Sequence, residues 1–275
     1  MAYDKIVDST ALDTALTDIA DAIRTKTGKT DPLTLEQMPS EIESISGGGS
    51  SEVDENLKYA TKVSFADASL PDTFEVTLPD GQKDFSSLFY RAYTKNIIVH
   101  SSSKPTSMAR TFMQANYGGV YTVTLDFDTS KVTTYENCFS LGIGDWGGNF
   151  TTINGVLDFT SVTTTAGLNA FSSNNNLTKV TFAPNTLGVS FNAWAIPNIN
   201  DTSLLSLLNC LKDRTGGDAL TLTVAGAWKT ADTGRLYVNY VKLDADTGLY
   251  VSCEQTDEGA MTMADAITAK NWTIA

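Results

Sequence analysis

The sequence predicts an α+β fold rich in β-structure, with an N-terminal helical module, an irregular solenoid and a C-terminal α+β cap. Three observations predict it: helical apolar spacing in residues 1–46, a constant strand-to-aromatic distance in 53–200, and mixed helix and strand patterns in 201–275. The chain has 275 residues, of which 41% are hydrophobic and 19% are charged. This composition excludes a disordered chain, and the length suffices to bury a core without disulfides or metals.

The first module carries an apolar stripe within a helix predicted over residues 9–27. Leucine and isoleucine recur there at spacings of four, three and four residues, which places them on one helix face. The stripe consists of Leu12, Leu16, Ile19 and Ile23. Two alternatives follow: the stripe attaches the module to another copy or partner, or the helix packs on its own chain. A shorter helical segment is predicted in residues 35–45, and the Gly/Ser-rich residues 47–52 predict a flexible linker.

Residues 53–200 repeat one unit in which an aromatic residue follows the end of a short strand by twelve positions. A single strand and turn cannot bury such an aromatic, whereas stacked copies can. We therefore predict a solenoid with one buried ladder of aromatic rings. Its members are 27, 32 and 23 residues apart, near the spacing of leucine-rich repeats. The strand-end and aromatic pairs are His100–Phe112, Phe127–Phe139, Phe159–Phe171 and Phe182–Trp194.

Three further predictions follow from this alignment of the units. His100 occupies the position of the strand-end phenylalanines, so it is predicted to be a core variant rather than a catalytic residue. Apolar residues midway along the units are predicted to be buried anchors. Cys138 and Cys210 are predicted to be buried thiols because their neighbours are apolar. The anchors are Val132, Val162 and Leu187.

Two glycine-rich stretches interrupt the repeats and carry exposed aromatic candidates. Residues 142–155 contain Trp146 and Phe150, and a shorter stretch contains Tyr117 and Tyr121. Aromatic rings give a large contact area at low entropic cost, and neighbouring glycines let a loop adapt. The sequence therefore predicts these four residues as ligand-binding candidates. The alternative is that Trp146 folds back and covers the solenoid.

After residue 200 the repeat ends and a mixed pattern begins. A helix capped within Asp201–Ser203, a hairpin over 238–253, a helix over 260–270 and a final strand are predicted. The hairpin turn, Asp244–Gly248, begins like a calcium loop but lacks a glutamate at the twelfth position. It is therefore predicted to be an aspartate-rich turn, and neither a metal site nor a cofactor is expected.

Charge and composition exclude several function classes. The formal net charge is −13, so the chain lacks the basic footprint that binding to nucleic acid phosphates requires. Three cysteines form no CxxC pair, a single histidine is present, and no nucleotide-binding or hydrolase motif occurs. We predict no enzymatic activity, although paired carboxylates leave glycan hydrolysis as a third possibility. Neither a signal peptide, a membrane span nor a wall anchor is expected.

Several segments resemble two known groups of proteins. The units CFSLG, LDFTSVTTTAGLNAF and NAFSSNNNLTKVTFAPNTLG resemble BspA-like leucine-rich repeats. The opening IADAIRTKTGKTDPLTLEQMPSEIESI and the ending TDEGAMTMADAITAKNWTIA are similar to those of tail-associated proteins of phages and prophages of Gram-positive gut bacteria. The resemblance implies a virion setting, and the N-terminal block carries that implication most specifically.

The expected function is that of a structural virion protein of a tailed phage, in the tail tip, baseplate or a fibre, that contributes to receptor binding. Expected partners are other tail or baseplate proteins and a neutral or basic host-surface glycan or protein. The resemblance implies a homo-oligomer, with a trimer favoured, located in the virion tail and assembled in the host cytoplasm. The alternative is a BspA-like bacterial surface adhesin, which would need a signal peptide and a wall anchor.

Overall fold

The structure is a computed structural model that describes residues 9–27, 30–32, 34, 37, 62–115, 120–140, 149–172, 174–230 and 233–275. The chain divides into two compact units, Met1–Ser50 and Ser51–Ala275. Each unit is described by itself.

In the first unit, helix α1 spans Ser9–Thr27, the residues predicted to form the first helix. Ala20 and Ile23 lie on one face of this helix and are each 5% exposed. Ile23 is therefore a buried member of the predicted stripe. The second predicted helical segment and the Gly/Ser linker lie outside the described residues.

The second unit begins with a parallel β-solenoid of about four turns, which confirms the predicted solenoid. One strand from each turn joins a five-stranded sheet whose spatial order follows the chain order. Inward positions alternate with outward ones, as the short runs of valine and threonine dictate. The strands are β1 (Thr73–Thr77), β2 (Asn96–His100), β3 (Val120–Asp126), β4 (Asn149–Leu157) and β5 (Lys179–Phe182).

Aromatic rings from successive turns stack into a ladder inside the solenoid. Neighbouring ring centroids lie 5.2, 5.5, 5.5 and 5.6 Å apart, and the ring planes differ by 5–16°. Three members were predicted from the twelve-residue distance, and these are confirmed. The ladder runs through Phe65, Phe89, Phe112, Phe139 and Phe171.

The predicted fourth member of the ladder, Trp194, is wrong. Its side chain is 62% exposed, and the ring that follows Phe171 is Phe191, which meets it edge-on at 6.5 Å. The period breaks here because residues 191–192 form a short strand that pairs with residues 222–223 of a different sheet, after which the Trp194 amide donates to the Asn192 side-chain oxygen at 3.0 Å. The twelve-residue distance from the end of the strand therefore no longer leads to a buried aromatic residue.

Tight corners beside the ladder bring the backbone of each turn against the next. The amides of Phe89, Phe112 and Phe139 donate to carbonyls one turn on, over 2.7–2.9 Å. The residue two positions before the aromatic is left-handed in three turns, with φ of 55–59°, although none is a glycine. Such a conformation costs about 1–2 kcal/mol per residue, which the inter-turn bonds and the buried rings offset. These residues are Ser87, Arg110 and Asn137.

The predicted mid-unit anchors and buried cysteines are in the core. The three anchors are at most 5% exposed, and both Cys138 and Cys210 are fully buried. Burial away from water disfavours the thiolate and raises the pKa of Cys210 to about 11, and it raises the pKa of Cys138 still further. Both side chains therefore behave as small apolar residues. The anchors are Val132, Val162 and Leu187.

A helix closes the solenoid where a sixth strand would otherwise pair. Helix α2 spans Asp201–Cys210, and its N-cap is Asn200, one residue before the predicted cap. The Ser203 hydroxyl accepts from the Val180 amide at 3.0 Å. The Ser206 hydroxyl accepts from the Phe182 amide at 2.8 Å and donates to its carbonyl at 3.1 Å. The two serines thus satisfy backbone groups at the outer edge of β5.

The remaining elements pack on the same core as the solenoid. Strands β6 and β11 flank β7 in a parallel sheet, and β10 and β9 flank β8 in an antiparallel one. Strands β8 and β9 form the predicted hairpin. The elements are β6 (Phe191–Asn192), β7 (Leu220–Thr223), α3 (Gly226–Lys229), α4 (Arg235–Val238), β8 (Tyr240–Leu243), β9 (Tyr250–Cys253), β10 (Met261–Thr262), α5 (Met263–Ala269) and β11 (Trp272–Ile274).

Candidate functional site

The outward face of the five-stranded sheet, here called the sheet face, is the most regular exposed surface of the second unit. Cross-strand register arranges its side chains in three rows, and every member is exposed or half-buried. Hydroxyl and amide groups dominate the first two rows. The rows are Thr73–Asn96–Thr122–Thr152–Lys179, Glu75–Ile98–Thr124–Asn154 and Thr77–His100–Asp126.

Hydrogen bonds between strands fix several of these side chains. The Asn96 amide donates to the Thr73 hydroxyl at 3.2 Å, and the Asn154 amide donates to the Thr124 hydroxyl at 3.3 Å. Lys179 donates to the Asn154 amide oxygen at 3.3 Å. Parallel ladders hold the strands beneath, with register shifts at residues 121–122 and 152–156, and so the polar groups keep a defined spacing before any ligand arrives.

His100 lies at one end of the sheet face between two carboxylates. Its Nδ1 is 2.7 Å from Asp126 Oδ2, and its Nε2 is 2.8 Å from Glu75 Oε1. The hydrogen bonds to Asp126 and then to Glu75 raise the pKa of the imidazole above its usual 6.5. A protonated His100 neutralises part of the acidic charge at this end of the face.

The prediction that His100 is a core variant is therefore wrong. Strand register pairs His100 with Asp126 rather than with Phe127. Since side chains alternate between the two faces of a strand, this one-residue difference moves His100 from the core to the outside. The inward neighbour in its strand is Val99, which is 1% exposed.

Charged side chains around the sheet face are mostly paired with opposite charges. Lys95 lies 2.5 Å from Asp72, and Lys104 lies 2.6 Å from Asp128. Residues 62–200 carry ten acidic and eight basic side chains, so little of the chain's net charge of −13 resides in this region. The sheet face is consequently close to neutral.

The four predicted ligand-binding residues are not brought together as a described surface. Phe150 lies on β4, is 0% exposed, and packs edge-on against Phe139 with centroids 5.7 Å apart. Its prediction as an exposed anchor is wrong, because residues 149–157 form a strand rather than a loop. Tyr121 lies on β3, and its side chain is outside the described residues. Trp146 and Tyr117 also lie outside them.

The predicted anchor stripe of α1 is divided among different environments. Ile23 is buried, Leu16 is half-buried, and Ile19 is 48% exposed. The Leu12 side chain lies outside the described residues. Among the described members, Ile19 is thus the one most available for contact with another chain.

The C-terminal region contributes two open clefts on either side of Tyr237 and Val238, with volumes of about 360 and 370 Å³. The first is lined by Asp265 and Thr268, and the second by the half-buried Cys253. Both are open, the first has a mixed polar and apolar lining, and neither presents a row of side chains comparable with the sheet face. They are secondary candidates for contact with a ligand.

The Asp244–Gly248 segment forms the aspartate-rich turn that the sequence predicts. The Asp244 carboxylate accepts from the Thr247 amide at 2.9 Å and from its hydroxyl at 2.7 Å. These bonds stabilise the carboxylate and lower the pKa of Asp244. Within the described ranges, no three histidine, cysteine or carboxylate side chains gather as metal ligands do.

Comparison with protein-family models, with curated proteins and with solved structures finds no match to this chain. In the part of the chain that the structure describes, none of the helices combines the length and apolar character needed to cross a membrane. The sheet face is therefore a candidate site on the basis of its geometry alone.

The predictions from sequence rested on aromatic residues and glycine-rich stretches, and so they did not include the sheet face. The signal was present in the strands themselves, where buried valine, leucine and isoleucine alternate with threonine and asparagine. Segments such as Thr122–Asp126 show this alternation directly. The alternation does not reveal the register between strands, and the register determines which polar residues become neighbours.

Proposed function

We propose that the protein is a structural virion component of a tailed phage, in the tail tip, baseplate or a fibre, and that its solenoid binds the host surface. The sheet face carries this proposal, because it offers three rows of outward side chains on a five-stranded support. The resemblance of the N-terminal block to phage tail-associated proteins supports the virion setting.

We also propose that the solenoid is of the leucine-rich-repeat type. Each unit contributes one short parallel strand and then a buried ring, and the ladder rings from Phe65 to Phe171 are 23–32 residues apart. Repeats of this length create an extended surface because every turn presents the same strand at the same side. The BspA-like resemblance of the repeats supports this classification.

In this proposal residues 1–46 attach the protein to another copy or to a tail partner, with three-fold symmetry favoured, and assembly takes place in the host cytoplasm. The exposed Ile19 on α1 supports a contact at this helix. Deleting residues 1–46 should leave a folded solenoid that no longer enters particles. Incorporation of the truncated chain at the native level would overturn the attachment role.

Immunogold electron microscopy tests the proposed location. Particles released from the strain that encodes the chain are labelled with antibodies raised against residues 62–275. Label at the distal end of the tail is expected. Label on cell envelopes, with unlabelled particles, would overturn the virion role and support the BspA-like adhesin instead.

Adsorption measurements test the contact surface. Thr124 lies in the central strand of the sheet face, and an arginine there would cover its neighbours Ile98 and Asn154. The Thr124→Arg protein should lose binding to host cells at an unchanged melting temperature. Thr163→Arg, at an exposed threonine of the solenoid outside the five-stranded sheet, is the matched control and should bind normally.

A further inference from the structure

We infer that the sheet face binds a neutral, extended glycan chain that lies across the five strands; this inference rests on the proposed host-surface role. Adjacent strands are about 4.8 Å apart, which is close to the length of one sugar ring in an extended chain. Each strand therefore meets roughly one ring of such a ligand. The face offers five strands in succession.

The chemistry of the two polar rows matches a hydroxyl-rich ligand. Threonine hydroxyls and asparagine amides both donate and accept hydrogen bonds, as sugar hydroxyls do. Asn96, Thr122 and Thr152 are in register on three successive strands. The half-buried Ile98, beside Thr124 in the second row, gives an apolar contact for the C–H face of a ring.

The charges on the face argue against an ionic ligand. Glu75 and Asp126 are both hydrogen-bonded to His100, so an incoming cation would compete with existing bonds. A polyanion would meet these two carboxylates, while Lys179 is the single basic side chain in the first two rows. An uncharged chain avoids both costs, because it exchanges hydrogen bonds with water for hydrogen bonds with neutral groups.

The side chains that would contact the glycan are already ordered. Asn96 and Asn154 are each held by a bond to a threonine on the preceding strand, at 3.2 and 3.3 Å. Each amide retains a second N–H for a ligand, since one bond uses only one of its donors, whereas the Asn154 oxygen already accepts from Lys179. Binding therefore immobilises few side chains, which reduces its entropic cost.

The test compares treated cells and wall fractions, with the full chain as the binding protein. Cells of a strain to which the particles adsorb are treated with periodate, which cleaves sugar diols, or with protease. Their wall polysaccharide is separated by ion exchange into neutral and charged fractions, which then compete for binding. We expect periodate to abolish binding, protease to leave it intact, and the neutral fraction alone to compete.

Variants tie this outcome to the sheet face. Thr124→Arg should weaken competition by the neutral fraction at least about tenfold, which equals about 1.4 kcal/mol, whereas the hydroxyl-bearing Thr124→Ser and the control Thr163→Arg should not. If protease abolishes binding, or the charged fraction competes, the glycan inference is overturned while the host-surface role stands. If Thr124→Arg binds cells as the native chain does, the sheet face is not the contact and both proposals fail.

Discussion

Replacing Phe139 by alanine should destabilise the second unit more than most single changes in the chain. This ring lies in the interior of the aromatic ladder, is 0% exposed, and stacks on Phe112 and Phe171 at 5.5 and 5.6 Å. Phe150 meets its edge at 5.7 Å. Burial of a phenylalanine contributes about 3–5 kcal/mol, and its aromatic contacts add to the transfer term, so we expect about 4–5 kcal/mol.

Thermal and urea unfolding followed by circular dichroism measure this loss. A loss of about 4 kcal/mol corresponds to a fall of roughly 8–16 °C in the melting temperature of a unit of this size. Trp194→Ala is the matched aromatic control, because that side chain is 62% exposed and should change stability by less than about 0.5 kcal/mol. A Phe139→Ala loss below about 1 kcal/mol, or an equal loss in both variants, would refute the ladder as the main source of stability.

Three further changes test other features of the fold, each by unfolding experiments on the full chain. His100→Gln should lower the melting temperature at about pH 5.5 and have less effect at about pH 9. Because folding raises the pKa of the imidazole, the stability that His100 contributes is fully present below the pKa of about 6.5 that it has in the unfolded chain. This stability is lost as the pH rises through the raised pKa of the folded protein. An equal effect at both pH values would contradict this explanation. Ser206→Ala removes the acceptor of the Phe182 amide and should cost about 1–2 kcal/mol, and no loss would show that water replaces the hydroxyl. Asn174→Ala should raise the melting temperature, because the side-chain amide of Asn174 is fully buried and has no hydrogen-bond partner among the described residues. Ala115 occupies the equivalent position in another turn. A loss of stability would indicate that the amide is hydrogen-bonded in solution.

Much of the solenoid could be predicted because its signal is local and repeats. The distance of twelve residues to Phe112, Phe139 and Phe171 reflects one strand and one corner of fixed length, so each copy reinforces the others. The buried Val132 and Leu187 follow from the same period. Because the pattern recurs in several units, one irregular unit does not obscure it.

The errors arose where a contact depends on residues distant in sequence. Phe150 sits among glycines, and only its position on β4 shows that it faces Phe139. His100 is displaced by one residue relative to the strand-end phenylalanines, which a sequence alignment tolerates and an alternating strand does not. The helix over residues 201–210 was predicted, but its contact with β5 was not, because Ser203 and Ser206 carry no sequence signal for hydrogen bonds to the edge of that strand.

The register of the sheet has a consequence for how such a gene can change. Asn96 pairs with Thr122 and Ile97 pairs with Val123, so removing residues 97–122 joins two positions that already occupy equivalent places in neighbouring turns. Recombination between these codons would excise a whole turn without shifting any side chain from one face to the other, and the reverse event would duplicate it. Because each turn contacts mainly its neighbours, copy number is a variable that mutation can alter in single steps. The width of the exposed surface would then differ between related lineages in increments of about 4.8 Å.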